Sequence, residues 1–426
     1  MLKAEKADMP ARVCVLTNRI GVFSGNTGGG SAMREKLVAA LQREGYDLRL
    51  FAAGFHASAD VGITDYSPML LPTWRTLRAI WDVLREADLL IVSGSFTPCM
   101  PFGVAAARLL GVRTLVIFTT DSDKVVNAYY TGLQRVMWWW MYSWCDRTVA
   151  ALATRVYTRS DEFLQKLQRM HGIRCEGVMS QSDQYSAFTA LHSDSQEVVA
   201  QARNRLSGGQ PHLPLLLYCG RWAPEKRIDV LARNKPPGTV LAIVGNGDSA
   251  GGADAVEALH DPANGIVCLR DFVKHDQLRI YYKAADVHVS ASDFETLGNS
   301  CHESLLCGTP VVLEAAGGYL SQVNEGQQGF LVRWAHASEA HDAVNKALKL
   351  KNRVKPRERV TSEGTEIVRQ MLRAPPPSLL PQTASESYLL LACGFRMPLL
   401  VASLGLYVSR ESFWPQALQA GQAKIS

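Results

Sequence analysis

The sequence predicts an α/β protein built from two doubly wound domains in tandem. Three observations predict it. Short apolar, β-branched runs alternate with helical patterns, the alternation occurs twice, and a polar stretch ending in Gly and Pro separates the two series. The 426 residues are enough for two or three domains, and 47% hydrophobic against 20% charged residues excludes a mainly disordered chain.

The first series of strands and helices occupies residues 1–190. Its predicted strands are Arg12–Leu16, Asp47–Phe51, Leu89–Ser93, Thr114–Phe118 and Arg155–Tyr157. Between the first two strands, Met33, Leu37 and Leu41 recur at the spacing of one helix face. Strands that alternate with helices form a parallel sheet covered on both faces, so residues 1–190 are interpreted as one domain and residues 191–212 as a linker.

The second series occupies residues 213–350. Its predicted strands are Leu215–Tyr218, Val240–Val244, Ile266–Leu269, Val287–Ser290, Pro310–Glu314 and Gly329–Val332. Open parallel sheets bind ligands beyond the carboxyl ends of their strands. Two such sheets in tandem therefore predict a binding site in a cleft that the two domains face.

The end of the chain is less regular. A basic, helix-like region, Lys346–Arg373, predicts a return helix within residues 351–375, and residues 376–426 are interpreted as a hydrophobic tail of unknown role. Within that tail, Tyr388–Val408 is long and apolar enough to cross a bilayer, although Arg396 lies at its middle. A hydrophobic hairpin packed on the protein explains the segment equally well, so both interpretations stay open.

The charge and the cysteine content limit which classes of protein the sequence can belong to. A net charge of +5 is only mildly basic, and no nucleic-acid partner is expected. The nine cysteines contain no CxxC pair, which favours a reducing compartment over a disulfide framework or a structural zinc. The first residues hold no long apolar core, so no signal peptide is expected and the predicted location is cytosolic or organellar.

The most specific motif pairs Glu295 and Glu303, with seven residues between them. Glu295 follows a predicted strand and Glu303 lies in the helix after it. Helical side chains lean toward the N-terminus of their helix, so both carboxylates are expected on one side of the cleft. The amides of Leu297, Gly298 and Asn299 begin this helix, where N–H groups without intrahelical partners form a ready anion site.

A second motif places Arg221 and Lys226 directly after the strand that ends at Gly220. Two cations at the carboxyl end of a strand suit a diphosphate, Arg through forked hydrogen bonds and Lys as a point charge. An isolated pair of this kind would more often be a solvated loop with surface ion pairs. The two cations indicate a diphosphate site only in combination with the two glutamates.

Two glycine turns follow other predicted strands. Asn246 and Gly247 come after one strand of the second series, where backbone can approach a flat ligand. Gly28, Gly29 and Gly30 lie between the first strand and its helix, where their composition permits close anion contact. The second turn is not a GxGxxG fingerprint and lacks the acidic residue that a nicotinamide ribose needs, which disfavours a dehydrogenase.

Taken together, these motifs resemble those of the retaining, nucleotide-sugar-dependent glycosyltransferases of the GT-B architecture, in the family with the E-x7-E signature. The resemblance is strongest over Leu215–Val332, weaker over Arg12–Phe188 and absent after about Pro375. It implies two Rossmann-like domains facing a cleft. The first would be the acceptor-side domain and the second the donor-binding domain.

The resemblance also implies roles for individual residues. Arg221 and Lys226 would hold the donor's diphosphate. Glu303 would bind the ribose hydroxyls, and Glu295 the transferred sugar. The other implied donor-binding residues are Gly28, Gly29, Gly30, Gly220, Asn246, Gly247, Val273, Thr296, Leu297, Gly298 and Asn299. No metal or other cofactor is expected, because cations and helix N-termini can stabilise the departing diphosphate.

Two segments depart from the family pattern. The loop after the strand ending near Phe118 has no His and instead contains Asp121 and Asp123. Either a polar acceptor-side role or, for Asp121, a helix cap explains them, and this Asp pair is not expected to bind metal. The family's Asn-Gly-Val-Asp segment is changed to Met179–Asp183.

The sequence Glu-Thr-Leu-Gly at Glu295–Gly298 is similar to that found in sulfoquinovosyl-diacylglycerol synthases and related glycolipid-forming enzymes. This implies a uridine nucleotide donor, a membrane lipid such as diacylglycerol as acceptor, a membrane surface as partner and a plastid as one location. The aromatic segment Arg135–Trp144 suits either a membrane interface or a buried helix. The basic stretch Lys346–Arg359 suits either anionic lipids or a solvated helix face.

Three functional classes remain open from the sequence. The first is a transferase acting on a lipid, on a glycan or on a soluble acceptor. The second is another reaction on the same fold, such as nucleotide-sugar epimerisation, for which no acid–base set is evident. The third is a donor-binding pseudoenzyme, against which the four residues Arg221, Lys226, Glu295 and Glu303 argue.

Overall fold

The computed structural model of the chain describes residues 10–17, 29–52, 74–93, 99–189, 194–247, 252–271, 273–293 and 295–377. These residues fall into two compact units. The first ends at Gln181 and resumes at Thr361, and the second runs from Ser182 to Val360. Each unit contains its own parallel β-sheet with helices, which confirms the predicted α/β class.

Twelve elements of the first unit precede the second unit in the chain. They are β1 Arg12–Thr17, α1 Gly29–Arg43, β2 Asp47–Ala52, α2 Trp74–Leu84, β3 Leu89–Ser93, α3 Cys99–Leu110, β4 Arg113–Ile117, α4 Ser122–Tyr129, α5 Gly132–Leu152, β5 Arg155–Thr158, α6 Asp161–His171 and β6 Gly177–Ser180. Local chemistry sets the ends of α6: Ser160 accepts from the N–H of Phe163, and Gly172 ends the helix at φ 66°.

The second unit begins with a short 3₁₀ helix, Ser182–Phe188. Its further elements are α7 Gln196–Leu206, β7 Leu215–Cys219, α8 Ile228–Arg233, β8 Val240–Gly245, α9 Ala253–Glu257, β9 Ile266–Arg270, α10 His275–Ala284, β10 Val287–Ser290, α11 Asn299–Leu306, β11 Val311–Glu314, β12 Gly329–Val332 and α12 Ala337–Ala347. The chain then returns to the first unit as β13 Ser362–Glu363 and α13 Gly364–Arg373.

Both sheets have a doubly wound strand order. The first sheet runs β13-β6-β5-β4-β3-β1-β2 and the second β12-β11-β10-β7-β8-β9. In the second sheet the chain builds outward from β7 to β9 and then crosses to β10 on the other side of β7. The strand order therefore reverses between β7 and β10, and the carboxyl ends of these two strands are where such a sheet binds ligands.

The central strands of the second sheet are buried on both faces. All five residues of β7 are buried, and Leu216 pairs with Val287 of β10 on one side and Leu241 of β8 on the other. Burial of each such aliphatic side chain contributes about 2 kcal/mol. The apolar residues that predict these strands also hold the strands in the core. They therefore fix where the loops after the strands begin.

The structure differs from the sequence-based expectations at three places. Strands β6 and β13 pair with each other and were not predicted. Part of the predicted linker forms helix α7, which packs on α10. The predicted return helix is confined to α13, because α12 ends at Ala347 and residues 353–360 have no helical structure. This intervening stretch contains Pro356, which disfavours the α conformation of the residue before it.

None of the helices in the described ranges is both long and apolar enough to cross a bilayer. The apolar stretch Tyr388–Val408 lies outside the described residues.

Candidate functional site

The candidate site lies at the reversal point of the second sheet, where the loops after β7 and β10 meet. Lys226 follows β7 and Glu295 follows β10, and Lys226 Nζ donates to Glu295 Oε1 at 2.5 Å. The two side chains are only 15% and 20% exposed. Two residues that are 69 positions apart in the chain are therefore held together at the edge where an open α/β sheet binds ligands.

The second predicted cation, Arg221, forms an ion pair within its own loop. Its Nη2 donates to Glu225 Oε1, and the Glu225 side chain is 2% exposed while that of Arg221 is 46% exposed. A buried carboxylate requires a partner, and Arg221 supplies it to Glu225 while about half of the Arg221 side chain stays exposed. Tyr218 also donates to the carbonyl of Arg221 at 2.9 Å.

The loop 295–299 is oriented by hydrogen bonds to its carbonyl groups. The N–H of Gly318 donates to the carbonyl of Glu295 at 2.8 Å, and Gln322 Nε2 donates to the carbonyls of Leu297 and, at 3.2 Å, Gly298. In a planar trans peptide the N–H points away from the preceding carbonyl. The amides of Gly298 and Asn299 therefore point away from Gln322, at the N-terminus of α11.

Glycine is required at two places in this loop and its support. Gly298 has φ 84°, and a Cβ there would lie 2.3 Å from Tyr319 Cε1. A Cβ on Gly318 would lie 2.5 Å from Leu297 Cα. Gly298 thus leaves room for the ring of Tyr319, and Gly318 lets its backbone pack directly on that of Leu297, so loop 295–299 is closely packed from behind.

Glu303 lies one turn into α11 and is 9% exposed. Its Oε2 accepts from the hydroxyl of Tyr282, a fully buried residue of α10, at 3.1 Å. Burial raises the pKa of Glu303 from 4.5 to about 7, with the Tyr282 hydrogen bond acting in the opposite direction. At neutral pH this carboxyl therefore titrates, which is unusual for Glu and typical of a binding or catalytic position.

The turn after β8 contacts the loop after β7 through backbone. The N–H of Trp222 donates to the carbonyl of Asn246 at 2.8 Å, and a Cβ on Gly247 would lie 2.2 Å from the Trp222 carbonyl oxygen. Gly220 follows β7 immediately, and Val273 lies half-buried between β9 and α10. These four predicted donor-binding residues thus lie at the carboxyl ends of three neighbouring strands.

The predicted glycine loop belongs to the first unit. Gly28 lies outside the described residues, whereas Gly29 and Gly30 are the first residues of α1.

The predicted acceptor-side aspartates lie after β4 in the first unit and are engaged by neighbouring side chains. Asp121 is the N-cap of α4, accepting from the N–H of Lys124, and both of its carboxylate oxygens accept from Lys166 Nζ at 2.5 and 2.7 Å. The helix-cap interpretation therefore describes Asp121.

Asp123 is buried at the centre of a polar cluster. Its oxygens contact Lys166 Nζ at 3.0 Å, His171 Nε2 at 2.9 Å and Trp139 Nε1 at 2.9 Å. Burial opposes ionisation, but the hydrogen bond with His171 and the charge of Lys166 hold the pKa of Asp123 well below its ordinary value. Asp123 is thus a stable anion that connects α4, α5 and α6.

Several residues of the site were missed by sequence reasoning. They are Glu225, Tyr282, Gln322 and Tyr319. Gly317 and Gly318 in the sequence point to the segment that carries Tyr319 and Gln322. Tyr282 has no such signal, because its contact with Glu303 arises only when α10 and α11 pack. Across the described parts of the chain, no group of three His, Cys, Asp or Glu side chains is placed to hold a metal ion.

The two parallel, doubly wound sheets have the fold of solved GT-B glycosyltransferases. Solved structures share this fold. Anabaena HepE in complex with UDP and glucose matches with a TM-score of 0.60 and 16% identity over 92% of this chain and 100% of that one. The glycosyltransferase WaaG matches with a TM-score of 0.57 and 14% identity over 80% and 92%.

The chain matches the family described as glycosyl transferases group 1 over residues 205–366. It is 30% identical to a D-inositol 3-phosphate glycosyltransferase from Thermomonospora curvata over 53% of this chain and 55% of that protein. It is 26% identical to sulfoquinovosyl transferase SQD2 from Arabidopsis thaliana over 74% and 60%. The chain therefore spans less than two thirds of the length of these curated relatives.

Proposed function

We propose that this protein is a retaining glycosyltransferase that moves a sugar from a uridine-nucleotide donor to a hydroxyl group of a membrane lipid. One observation carries the proposal. At the reversal point of the second sheet, Lys226 and Glu295 meet beside the N-terminus of α11, with Glu303 one turn further on. A cation, two carboxylates and oriented amides together match the polar groups of a nucleotide sugar.

The Lys226–Glu295 pair suits an exchange of partners when a donor binds. An arriving diphosphate competes for the ammonium group of Lys226, since phosphate oxygens are strong acceptors for cations. The carboxylate of Glu295 then accepts from hydroxyl groups of the sugar. Glu303, oriented by Tyr282, accepts from the ribose hydroxyls.

The reaction replaces one bond to the anomeric carbon of the sugar by another. The bond from this carbon to the leaving phosphate oxygen breaks, and its electron pair remains on the phosphate. The acceptor oxygen forms the new bond on the same face, and its proton passes to the leaving phosphate. Arg221, Lys226 and the amides at the start of α11 stabilise the growing negative charge, a contribution often worth several kcal/mol. The proposal requires no resident metal.

An exposed surface of α5 supports the proposal of a lipid acceptor and of membrane association. Leu133, Val136 and Trp140 are 84%, 56% and 66% exposed and recur on one helix face, which we call the α5 surface. Arg135 beside them is also exposed. Exposed apolar and Trp side chains next to a cation are typical of an interfacial helix. The neighbouring Trp139 donates to Asp123, after β4, so this surface adjoins the predicted acceptor-side residues.

The proposal is tested by binding and product formation. Purified protein is titrated with UDP and incubated with a panel of nucleotide sugars and extracted lipids, and products are identified by mass spectrometry. We expect UDP binding and one glycolipid product with a retained anomeric configuration. The Lys226→Ala variant should lose at least 100-fold in turnover, in line with removal of one charge-stabilising group.

The matched control is Lys349→Ala, which removes an exposed lysine from the same unit. It should retain wild-type binding and turnover. UDP binding without transfer to any acceptor would support a pseudoenzyme, and full turnover by Lys226→Ala would refute the assignment of the site.

A further inference from the structure

The chain enters the second unit through the 3₁₀ helix Ser182–Phe188, which packs on α10 and α11. Phe188 is buried, and its ring centroid lies 5.5 Å from that of His275 and 6.1 Å from that of Tyr282. These contacts fix the 3₁₀ helix against the same two helices that hold Glu303. The segment is therefore part of the support of the candidate donor site.

Within this segment, Tyr185 contacts the first residue of α11. Its hydroxyl donates to Asn299 Oδ1 at 3.0 Å, and its ring centroid lies 4.4 Å from that of His302. Tyr185 is 8% exposed and Asn299 is half-buried, so the hydrogen bond between them is partly shielded from water. A shielded hydrogen bond costs more to break than an exposed one, because the group left behind loses its partner without gaining solvent.

We infer that Tyr185 is a positioning residue for the nucleotide diphosphate, acting through Asn299. This inference rests on the proposed function of the same site. The N–H of Asn299 belongs to the peptide whose carbonyl, on Gly298, accepts from Gln322. Gln322 thus holds this peptide on one side, and Tyr185 holds the side chain of Asn299. Together the two contacts fix the direction of an amide at the N-terminus of α11.

The inference gives the 3₁₀ helix Ser182–Phe188 a part in ligand binding that its sequence does not reveal. Without the Tyr185 hydroxyl, the first turn of α11 keeps its fold but loses one of its restraints. Binding of a diphosphate then has to order this turn, and affinity falls because ordering consumes part of the binding free energy. Loss of one shielded hydrogen bond corresponds to a roughly fivefold to tenfold weaker affinity.

The test is a double-mutant cycle on UDP affinity, measured by isothermal titration calorimetry with the full chain. The variants are Tyr185→Phe, Asn299→Ala and the double variant. We expect Tyr185→Phe to weaken UDP binding fivefold to tenfold, and to have no further effect once Asn299 is Ala, because Tyr185 acts through this residue. The matched control is Tyr281→Phe, which removes a buried hydroxyl that accepts from Gln277 on α10.

Four results distinguish a failure of the inference from a failure of the proposed function on which it rests. Unchanged UDP affinity in Tyr185→Phe, or effects of the two single variants that simply add, would overturn the positioning role while the proposed function stands. Equal losses in Tyr185→Phe and Tyr281→Phe would also overturn it, since any lost hydroxyl would then suffice. Absence of UDP binding by the wild-type protein would overturn the proposed function, and this inference with it.

Discussion

The buried carboxyl of Glu303 makes the stability of this protein depend on pH. Its pKa is raised from 4.5 in an exposed chain to about 7 in the fold. A raised folded-state pKa means that this group's stabilising contribution is fully present below pH 4.5 and declines as the pH rises through 7. A shift of this size corresponds to about 3 kcal/mol, so the wild-type protein should lose about 3 kcal/mol between pH 4.5 and 8 through this group.

The substitution Glu303→Gln removes the titration and keeps the size of the side chain. We expect the free energy of unfolding of the variant, minus that of wild type, to increase by about 3 kcal/mol from pH 4.5 to 8, because only wild type loses stability over this range. Urea unfolding at several pH values, followed by circular dichroism, measures this difference. The matched control is Glu325→Gln, an exposed glutamate of the same unit, for which the difference should stay near zero.

A second variant checks the cause. Tyr282→Phe removes the hydroxyl that donates to Glu303, which should raise the pKa of Glu303 further and move the pH-dependent loss to higher pH. If wild type and Glu303→Gln differ by a constant amount across this pH range, burial does not govern the titration of Glu303 and the reasoning is refuted.

Two further predictions concern backbone strain and the α5 surface. Arg227 has φ 50° and forms an ion pair with Glu314 at 3.3 Å. In urea unfolding, the Arg227→Gly variant should be more stable than the Arg227→Ala variant by about 1 kcal/mol. Both variants lose the ion pair, but only Gly adopts the left-handed conformation without strain. Equal stability would contradict this. The double variant Leu133→Ser, Trp140→Ser should bind anionic lipid vesicles at least tenfold more weakly in flotation assays, with a free energy of unfolding within about 0.5 kcal/mol of wild type. Met170→Ser, at a 61% exposed position on α6, is the control, and equal vesicle binding by all three proteins would exclude the α5 surface as the contact.

The parallel strands were predictable because their residues are buried on both faces. Runs such as Leu215–Cys219 are apolar throughout, and strand β10 was predicted with its observed bounds, Val287–Ser290. Strand β6 was missed, since Gly177–Ser180 is short and carries neither a continuous apolar run nor a clear alternation. Its position depends on pairing with β5 and β13, which no local pattern encodes.

The candidate site was predictable where residues follow directly after strands. Lys226 and Glu295 are such residues, and the structure brings them together. Their supporting contacts were not predictable, because Glu225, Tyr282 and Gln322 reach the site only through packing between segments. The same limit explains why Trp139 and Asp123, 16 positions apart, could not be paired from spacing alone.

The return of the chain after Val360 bears on how the protein can be divided for expression. Strand β13 completes one edge of the amino-terminal sheet, and α13 places Ile367, Val368 and Met371 in the same hydrophobic cluster as Val13 of β1. A fragment truncated before Thr361 would therefore lack part of its own interior. Dissection of this protein into separately produced halves requires a discontinuous design, in which residues 361–373 are rejoined to the amino-terminal piece.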